Sequence, residues 1–224
     1  AVQRAASGVL EDAKVIAAEM LQAPLPTVSY AQGIFSASTT DSQVSLPQVA
    51  RAAKEAQFGG AGLTKLLRYN RGEGFTFPNG CHITEVEVDA ETGVVNVVAY
   101  TAVDDCGRVI NPLLATGQVH GGVVQGIGQA LFENVVYDDD GQLLSGSLMD
   151  YAMPRASKVG DIQVSFNEVL DPNNELGVKG IGEGGACAAP SAVVNAVLDA
   201  LAPLGVESLD MPLTPERVWR SMRG

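Results

Sequence analysis

The chain has 224 residues, and 46% of them are hydrophobic, which is enough for one large or two small domains with a substantial core. Its 26 acidic residues outnumber the 14 basic ones and give a net charge of -12. Because this charge repels the phosphate backbone, we expect no nucleic-acid partner.

The sequence carries no sign of a signal peptide or a membrane span. We expect no apolar run to approach the roughly 20 residues needed to cross a bilayer. Charged residues interrupt the first 22 positions, at Arg4, Glu11, Asp12, Lys14 and Glu19. The protein is therefore predicted to be soluble and cytoplasmic. Since it begins with Ala1 rather than Met, we expect a processed or excised piece of a longer chain.

Cysteine and histidine are too few and too scattered to predict a metal site. The odd number of cysteines, with no C-x-x-C pair, favours neither a disulfide framework nor a zinc or iron–sulfur centre. Cys81, Cys106 and Cys187 are instead predicted to be reduced, buried packing residues. For His82 and His120 a structural role is favoured over a catalytic one.

The first 80 residues predict a helix-rich segment. Residues 1–22 repeat apolar side chains at helical spacing, and Pro24 ends that helix. We expect an extended piece over 28–35, a Ser/Thr-rich loop over 36–42, and a helix over 46–57 capped by Ser45. The glycine-rich stretch 58–80 predicts the softest boundary, which separates residues 1–80 from residues 81–224.

Residues 81–224 predict an α+β segment. Period-two alternation gives way to longer helical patterns. The predicted elements are a hairpin of 83–88 with 94–103, a helix from Pro112 to about Glu133 capped by Asn111, a second hairpin of 135–137 with 142–144, a strand over 162–169, a helix opened by Pro190, and a last helix over 215–222.

The helix that begins at Pro112 is unusual because it contains five glycines, each of which costs about 1 kcal/mol relative to alanine. One interpretation is tight packing against another helix. The other is a planar ligand lying on a stripe of amides and bare backbone, with the Gln118 side chain both donating and accepting hydrogen bonds. That stripe comprises Gln118, Gly122, Gln125 and Gln129.

Residues 176–190 surround a single carboxylate, Glu183. The neighbouring glycines are expected to adopt positive φ and to let the backbone approach a flat or bulky group: Gly180, Gly182, Gly184 and Gly185. Small residues follow at 186–189, so we expect a poorly hydrated pocket suited to a general base. An ordinary loop glutamate is the competing interpretation, and spacing alone does not separate the two.

Four motifs occur in order along this chain, at residues 104–112, 117–128, 150–154 and 179–185. Together they resemble the C-terminal part of the large, molybdenum-binding subunit of the xanthine dehydrogenase family. The motifs resemble most those of the bacterial aldehyde oxidoreductase and carbon monoxide dehydrogenase branches. The resemblance extends over essentially the whole chain but covers only the final portion of such a subunit. Cys187 is a departure, because it follows the acid where the family commonly has Thr-Ile.

The resemblance implies an α+β part of a molybdenum cofactor-binding domain in a molybdenum hydroxylase. Glu183 would be the base that takes a proton from a metal-bound hydroxide, whose oxygen attacks the substrate. Gln118 would bind the molybdenum–pterin end of the cofactor. Backbone groups of Lys179, Gly180, Ile181 and Gly182 would line the pterin or its nucleotide, and Arg108 and Asn111 are weaker candidates for the same shell.

The same resemblance implies the partners. The cofactor would be a molybdopterin, in bacteria usually the cytosine dinucleotide, and electrons would leave through a subunit with 2Fe-2S clusters and a subunit with FAD. The substrate would be an aldehyde, an N-heterocycle or a similar small molecule. Turnover would require the remaining N-terminal part of the large subunit. The alternative is a non-catalytic subunit that keeps the fold and docks a partner, although such a scaffold has no physical need for Glu183.

Overall fold

The computed structural model describes residues 2–64 and 74–224. The chain divides into two compact units, Ala1–Arg71 and Gly72–Gly224. Part of the predicted boundary stretch, residues 65–73, lies outside the described residues.

The first unit combines two helices with a small sheet. Helix α1 spans Val2–Met20, and strands β1 (Val28–Ala31), β2 (Ile34–Ala37) and β3 (Thr40–Ser45) form an antiparallel sheet in that order. Helix α2 spans Leu46–Ala52. The core of this first unit contains eight buried residues: Ala13, Ala17, Ala18, Leu21, Val28, Phe35, Ala37 and Val49.

The predicted cap at Ser45 is confirmed, because its hydroxyl accepts from the Gln48 N–H and the Gln48 side chain accepts from the Ser45 N–H. Two expectations in this unit are wrong. Residues 36–42, predicted to be a loop, form the end of β2, a two-residue turn and the start of β3. Helix α2 ends at Ala52 and gives way to a separate 3-10 turn at Ala56–Phe58.

The second unit is built on a three-stranded mixed sheet. Strand β4 (Asn79–Val88) pairs antiparallel with β5 (Val95–Asp105), which confirms the first predicted hairpin. Strand β6 (Asp161–Phe166) pairs in parallel with β5, from Ala99↔Asp161 to Asp104↔Phe166. The central strand β5 therefore ends at Asp104 and Asp105 between two neighbours.

Helices α3 (Pro112–Leu131), α4 (Gly184–Leu201) and α5 (Pro215–Ser221) complete this unit. Asn111 caps α3 as predicted, since its side-chain oxygen accepts from the Leu114 N–H. The core joins buried residues of β5, α3, α4 and the C-terminal segment, namely Val95, Val97, Tyr100, Ala102, Val119, Val123, Ile127, Ala130, Leu131, Ala189, Val193, Val197, Leu201, Leu213 and Val218.

Glycine lets α3 and α4 approach closely. A Cβ added at Gly122 would lie 2.8 Å from the Ala186 nitrogen, and one at Gly185 would lie 2.4 Å from the Val119 oxygen. A Cβ at Gly126 would lie 2.8 Å from the Pro190 ring. The packing interpretation is therefore correct for Gly122 and Gly126.

Two elements of the second unit differ from their prediction. Helix α4 begins at Gly184, not at Pro190, and Pro190 lies inside it. The ring of Pro190 is accommodated because Gly126 has no side chain. The second hairpin is reduced to an isolated bridge, Tyr137↔Leu143.

Among the described residues, one helical stretch, Gly184–Leu204, is long and apolar enough by length and composition to cross a bilayer. The expectation that no apolar run approaches this length is therefore wrong. The stretch contributes four residues to the core, each at most 1% exposed: Ala189, Val193, Val197 and Leu201. This buried face is that of a core helix.

Candidate active site

We define the acid loop as residues 176–183, which lead into α4. Its first half is bound to the end of β5: Gly107 and Val178 form a β-bridge, and the Lys179 N–H donates to the Cys106 carbonyl at 2.8 Å. Gly107 and Gly177 both adopt positive φ, 65° and 68°. A Cβ on Gly107 would lie 2.2 Å from the Gly177 oxygen, so this contact requires glycine.

A buried ion pair fastens the same half of the loop. The Lys179 ammonium lies 2.5 Å from Oδ2 of Asp105. Burial opposes ionisation of Asp105, but hydrogen bonds from Lys179 and from the Gly107 and Val169 N–H groups outweigh it and hold the pKa of this carboxyl below its usual value. The side chain of Lys179 is therefore engaged within the fold.

Glu183 is the N-cap residue of α4, and its side chain makes no cap hydrogen bond. It is exposed, so the described residues do not enclose it in the dry pocket that the sequence predicts. It lines a cavity of about 680 Å³ together with Gly180–Gly184 and Cys187. The acid thus lies at the end of a helix, at the wall of an open cleft.

The glycines around Glu183 serve a different purpose from the one predicted. None of Gly180, Gly182, Gly184 and Gly185 has positive φ. Gly185 gives α4 its close contact with α3, whereas a Cβ on Gly180 or Gly182 would meet no atom within 4 Å. Within the described part of the chain, the N–H groups of Gly180, Ile181 and Gly182 donate to no other group. The loop therefore presents bare main chain with free donors.

Gln118 connects α3 to the acid loop. Its side-chain nitrogen donates to the carbonyl oxygen of Gly182, at 2.6 Å. The predicted stripe is wrong at Gly122, which is buried against α4, whereas Gln118, Gln125 and Gln129 are exposed. The structure thus brings Gln118 and Glu183 together from separate parts of the sequence.

A polar cluster that no sequence pattern predicted lies on another wall of the same cavity. His82 Nδ1 lies 2.7 Å from the Tyr100 hydroxyl, and His82 Nε2 lies 3.2 Å from Oδ1 of Asp104. Both His82 and Asp104 line the cavity. Burial raises the pKa of Tyr100, so its phenol stays protonated.

The strand register explains how this cluster forms. Gly80 pairs with Asp104 and His82 pairs with Ala102, which puts the polar side chains on one face of the hairpin. A Cβ on Gly80 would lie 2.2 Å from Oδ1 of Asp104, so the glycine leaves room for the carboxylate. His82 is therefore held by two hydrogen bonds at the wall of the cavity, and the preference for a structural role stays a prediction.

Arg108 and Asn111 do not line the cavity. The Arg108 side chain donates through Nε to the Leu176 carbonyl at 3.0 Å, at the start of the acid loop. The Asn111 side chain is used in capping α3. Their assignment to the cofactor shell stays a prediction.

The cysteines are free, but only Cys106 is buried. Burial raises the pKa of its thiol. The predicted burial of Cys81 and Cys187 is wrong, because Cys81 is exposed on β4 and Cys187 is exposed in the first turn of α4, beside the cavity.

A family model described as the molybdopterin cofactor-binding domain matches residues 1–160. The chain belongs to this family. Glu183 lies beyond the matched residues, but relatives align with the whole chain. The chain is 35% identical to the 6-hydroxypseudooxynicotine dehydrogenase complex subunit gamma and 37% identical to the nicotine 6-hydroxylase large subunit, both of Paenarthrobacter nicotinovorans. Each alignment covers 100% of this chain and respectively 29% and 28% of the relative.

Solved structures of the family share its fold. Quinoline 2-oxidoreductase from Pseudomonas putida 86 matches with a TM-score of 0.87 and 38% identity, over 98% of this chain and 29% of that chain. A Cu,Mo-CO dehydrogenase matches with a TM-score of 0.86 and 28% identity, over 98% and 28%. These findings confirm the resemblance and the α+β fold, and the chain spans less than a third of the length of these relatives.

The residues present fit a molybdopterin at the acid loop. Gly180 and Gly182 leave open space beside free N–H donors, and Gln118 adds a primary amide. Within the described residues, no group of three or more His, Cys, Asp or Glu side chains could hold a metal ion directly. The arrangement suits a group held through its organic part by main-chain hydrogen bonds.

Proposed function

We propose that this chain is the part of a molybdenum hydroxylase large subunit that supplies the general base, Glu183. The complete enzyme would oxidise an N-heterocycle, an aldehyde or a similar small molecule and take the oxygen from water. The observation that carries the proposal is the position of Glu183, which lies beside open main chain at the wall of the 680 Å³ cavity.

Each residue has a distinct task in this proposal. When bound, the molybdenum cofactor would supply the two-electron oxidation by taking up the hydride equivalent that the substrate carbon loses. The carboxylate of Glu183 accepts the proton that water loses when its oxygen attacks the substrate carbon, and its exposure in this chain leaves it free to do so. Gln118 holds the Gly182 carbonyl and so sets the direction of the backbone that carries the acid. The N–H groups of Gly180, Ile181 and Gly182 hold the pterin or its nucleotide.

An N-heterocycle is the favoured substrate class. The names of similar proteins include nicotine 6-hydroxylase and quinoline 2-oxidoreductase. The cavity wall carries Glu183 and Asp104 and, among its lining residues, no lysine or arginine. A substrate that carries a carboxylate would be repelled by these acids, whereas a neutral or protonated ring would not be repelled.

We also propose the cytosine dinucleotide form of the cofactor and partner subunits that carry 2Fe-2S clusters and FAD. The rest of the large subunit completes the enclosure of Glu183, which the described residues leave exposed. Cytoplasmic location stays a prediction.

The decisive experiment is Glu183→Gln in the assembled enzyme. Gln is nearly the same size but cannot take up the proton, so hydroxylation of quinoline or nicotine should fall by at least about 100-fold, the lower end for general-base catalysis. Molybdenum and pterin content should be unchanged. Glu207→Gln, an exposed acid in the loop after α4, is the matched control and should behave as wild type.

The competing function is a docking subunit without chemistry. Metal and pterin analysis of the complex that contains this chain separates the two functions. A complex lacking both would reject the enzyme, and near-normal turnover by Glu183→Gln would reject the role of the acid.

A further inference from the structure

We propose that Lys179 and Asp105 form a positioning pair that fixes where the acid loop leaves the sheet, and hence where Glu183 stands. The inference rests on the proposed function of Glu183. It assigns to the Lys179 side chain a role inside the protein and leaves contact with the cofactor to the main chain of the loop.

The pair joins three separate segments through one carboxylate. Asp105 Oδ2 accepts from the Lys179 ammonium, while Asp105 Oδ1 accepts from the N–H groups of Gly107 at 2.8 Å and Val169 at 3.1 Å. The side chains of Lys179 and Asp105 are only 9% and 6% exposed. Because neither charge can regain water without local opening, the end of β5, the stretch after β6 and the acid loop are held in one arrangement.

The loop beyond Lys179 is held by few other contacts. Between Lys179 and α4, the described residues provide the hydrogen bond from Gln118 to Gly182, one from the Gly184 N–H to Ile181, and packing of the partly buried Ile181 against the core. Lys179 is thus the last polar anchor on the sheet side before Glu183. A displacement of about 1 Å at a reacting group can reduce the rate about 100-fold, so an anchor four residues away is close enough to matter.

The geometry also argues against Lys179 as an anion-binding lysine. Its ammonium is buried and already paired with a carboxylate, so it is not presented to the cavity, whose lining residues do not include it. Loss of the charge should therefore disturb the loop without removing a cofactor contact.

The test is Lys179→Met in the assembled enzyme, with steady-state kinetics on quinoline or nicotine and hydrogen exchange of residues 180–184. We expect kcat to fall about 100-fold with KM within about twofold, because the acid is misplaced while binding persists. Amide exchange at 180–184 should accelerate, and molybdenum and pterin content should stay constant. Asp105→Asn should act in the same direction, the double variant should be no worse than either single one, and Lys179→Arg should recover part of the rate.

Leu213→Ala is the control for simple destabilisation, since Leu213 is buried in the core and its N–H donates to Ala130, at the opposite end of α3 from Gln118. It should lower Tm without changing kcat or exchange at 180–184. The proposal is overturned if Lys179→Met only lowers Tm as Leu213→Ala does, or if it loses pterin while loop exchange stays normal. If Lys179→Met does not accumulate in cells, Asp105→Glu is tested instead, because it keeps the charge but lengthens the side chain. Normal kcat and normal amide exchange in that variant would reject the positioning pair. A wild-type enzyme without hydroxylase activity would refute the proposed function instead, and hydrogen exchange would still decide the anchoring.

Discussion

The side chain of Gln118 donates a 2.6 Å hydrogen bond to the carbonyl oxygen of Gly182, the residue that precedes Glu183. Only the NH₂ end of the amide can make this bond, so the amide oxygen of Gln118 is left as an acceptor. One side chain therefore fixes the main chain beside the acid and still offers an acceptor to a ligand.

Gln118→Glu should replace the hydrogen bond to the Gly182 carbonyl by repulsion between two oxygen acceptors. A carboxylate would oppose the Gly182 carbonyl, and the loss of one hydrogen bond together with this repulsion should reduce kcat about tenfold or more. Steady-state kinetics on the assembled enzyme would measure the effect. Gln129→Glu, at an exposed glutamine about three turns further along α3, is the matched control. Equal rates for the two variants would show that the amide does not position the loop.

Gly185 in α4 and Gly121 in α3 should respond in opposite ways to substitution by alanine. At Gly185 the new Cβ would stand 2.4 Å from the Val119 carbonyl, so the helices must separate and the variant should lose about 1–3 kcal/mol of stability. At Gly121 nothing lies within 4 Å, and the same substitution should stabilise the helix by up to about 1 kcal/mol. Urea unfolding of both variants would measure the difference, and a stable Gly185→Ala would disprove the close packing.

Helix starts in this chain were predictable because each depends on a few adjacent residues. Ser45, Asn111 and Thr214 accept from N–H groups three residues ahead, and each is followed by a proline within the first turn. Pro190 shows the limit of this reasoning. Its ring packs closely against Gly126, which is far away in sequence and has no side chain, and no local pattern reports that contact.

Asp105 should make stability depend on acid pH. Its pKa is lower in the folded protein than the unfolded value of about 3.9, so its contribution is complete above that value and disappears as pH falls through the folded pKa. Asp105→Asn leaves Lys179 buried without its charge partner and should cost about 3–5 kcal/mol at neutral pH. The difference in stability between wild type and the variant, measured from urea unfolding midpoints between pH 7 and pH 3, should become smaller below about pH 4. A constant gap would contradict the assignment.

Tyr100→Phe should destabilise the wall that carries His82. The phenol is fully buried and lies 2.7 Å from His82 Nδ1, so its removal leaves a buried ring nitrogen without a partner, at a cost of about 1–3 kcal/mol. Thermal unfolding would measure the loss. Tyr137→Phe, at an exposed tyrosine, is the control and should be neutral. Equal stability of the two variants would show that the His82 cluster contributes nothing.

The composition of the site was only partly readable from sequence. Glu183 and Gln118 could be singled out because their motifs carry a family resemblance. The His82 cluster could not, because its members meet through strand register and through the absence of a side chain at Gly80. The exposure of Glu183 could not be predicted from the sequence either, since it depends on how much of the surrounding protein is present.

The parallel pairing of β5 with β6 has a consequence for synthesis of the protein. One edge of β5, from Ala99 to Asp104, receives its partner only after the ribosome has made all of α3 and reached residue 161. At about 5–20 residues per second this leaves several seconds in which a hydrophobic strand edge is unpaired. Nascent chains that stall between α3 and β6 should therefore be the ones that chaperones retain and that aggregate most readily.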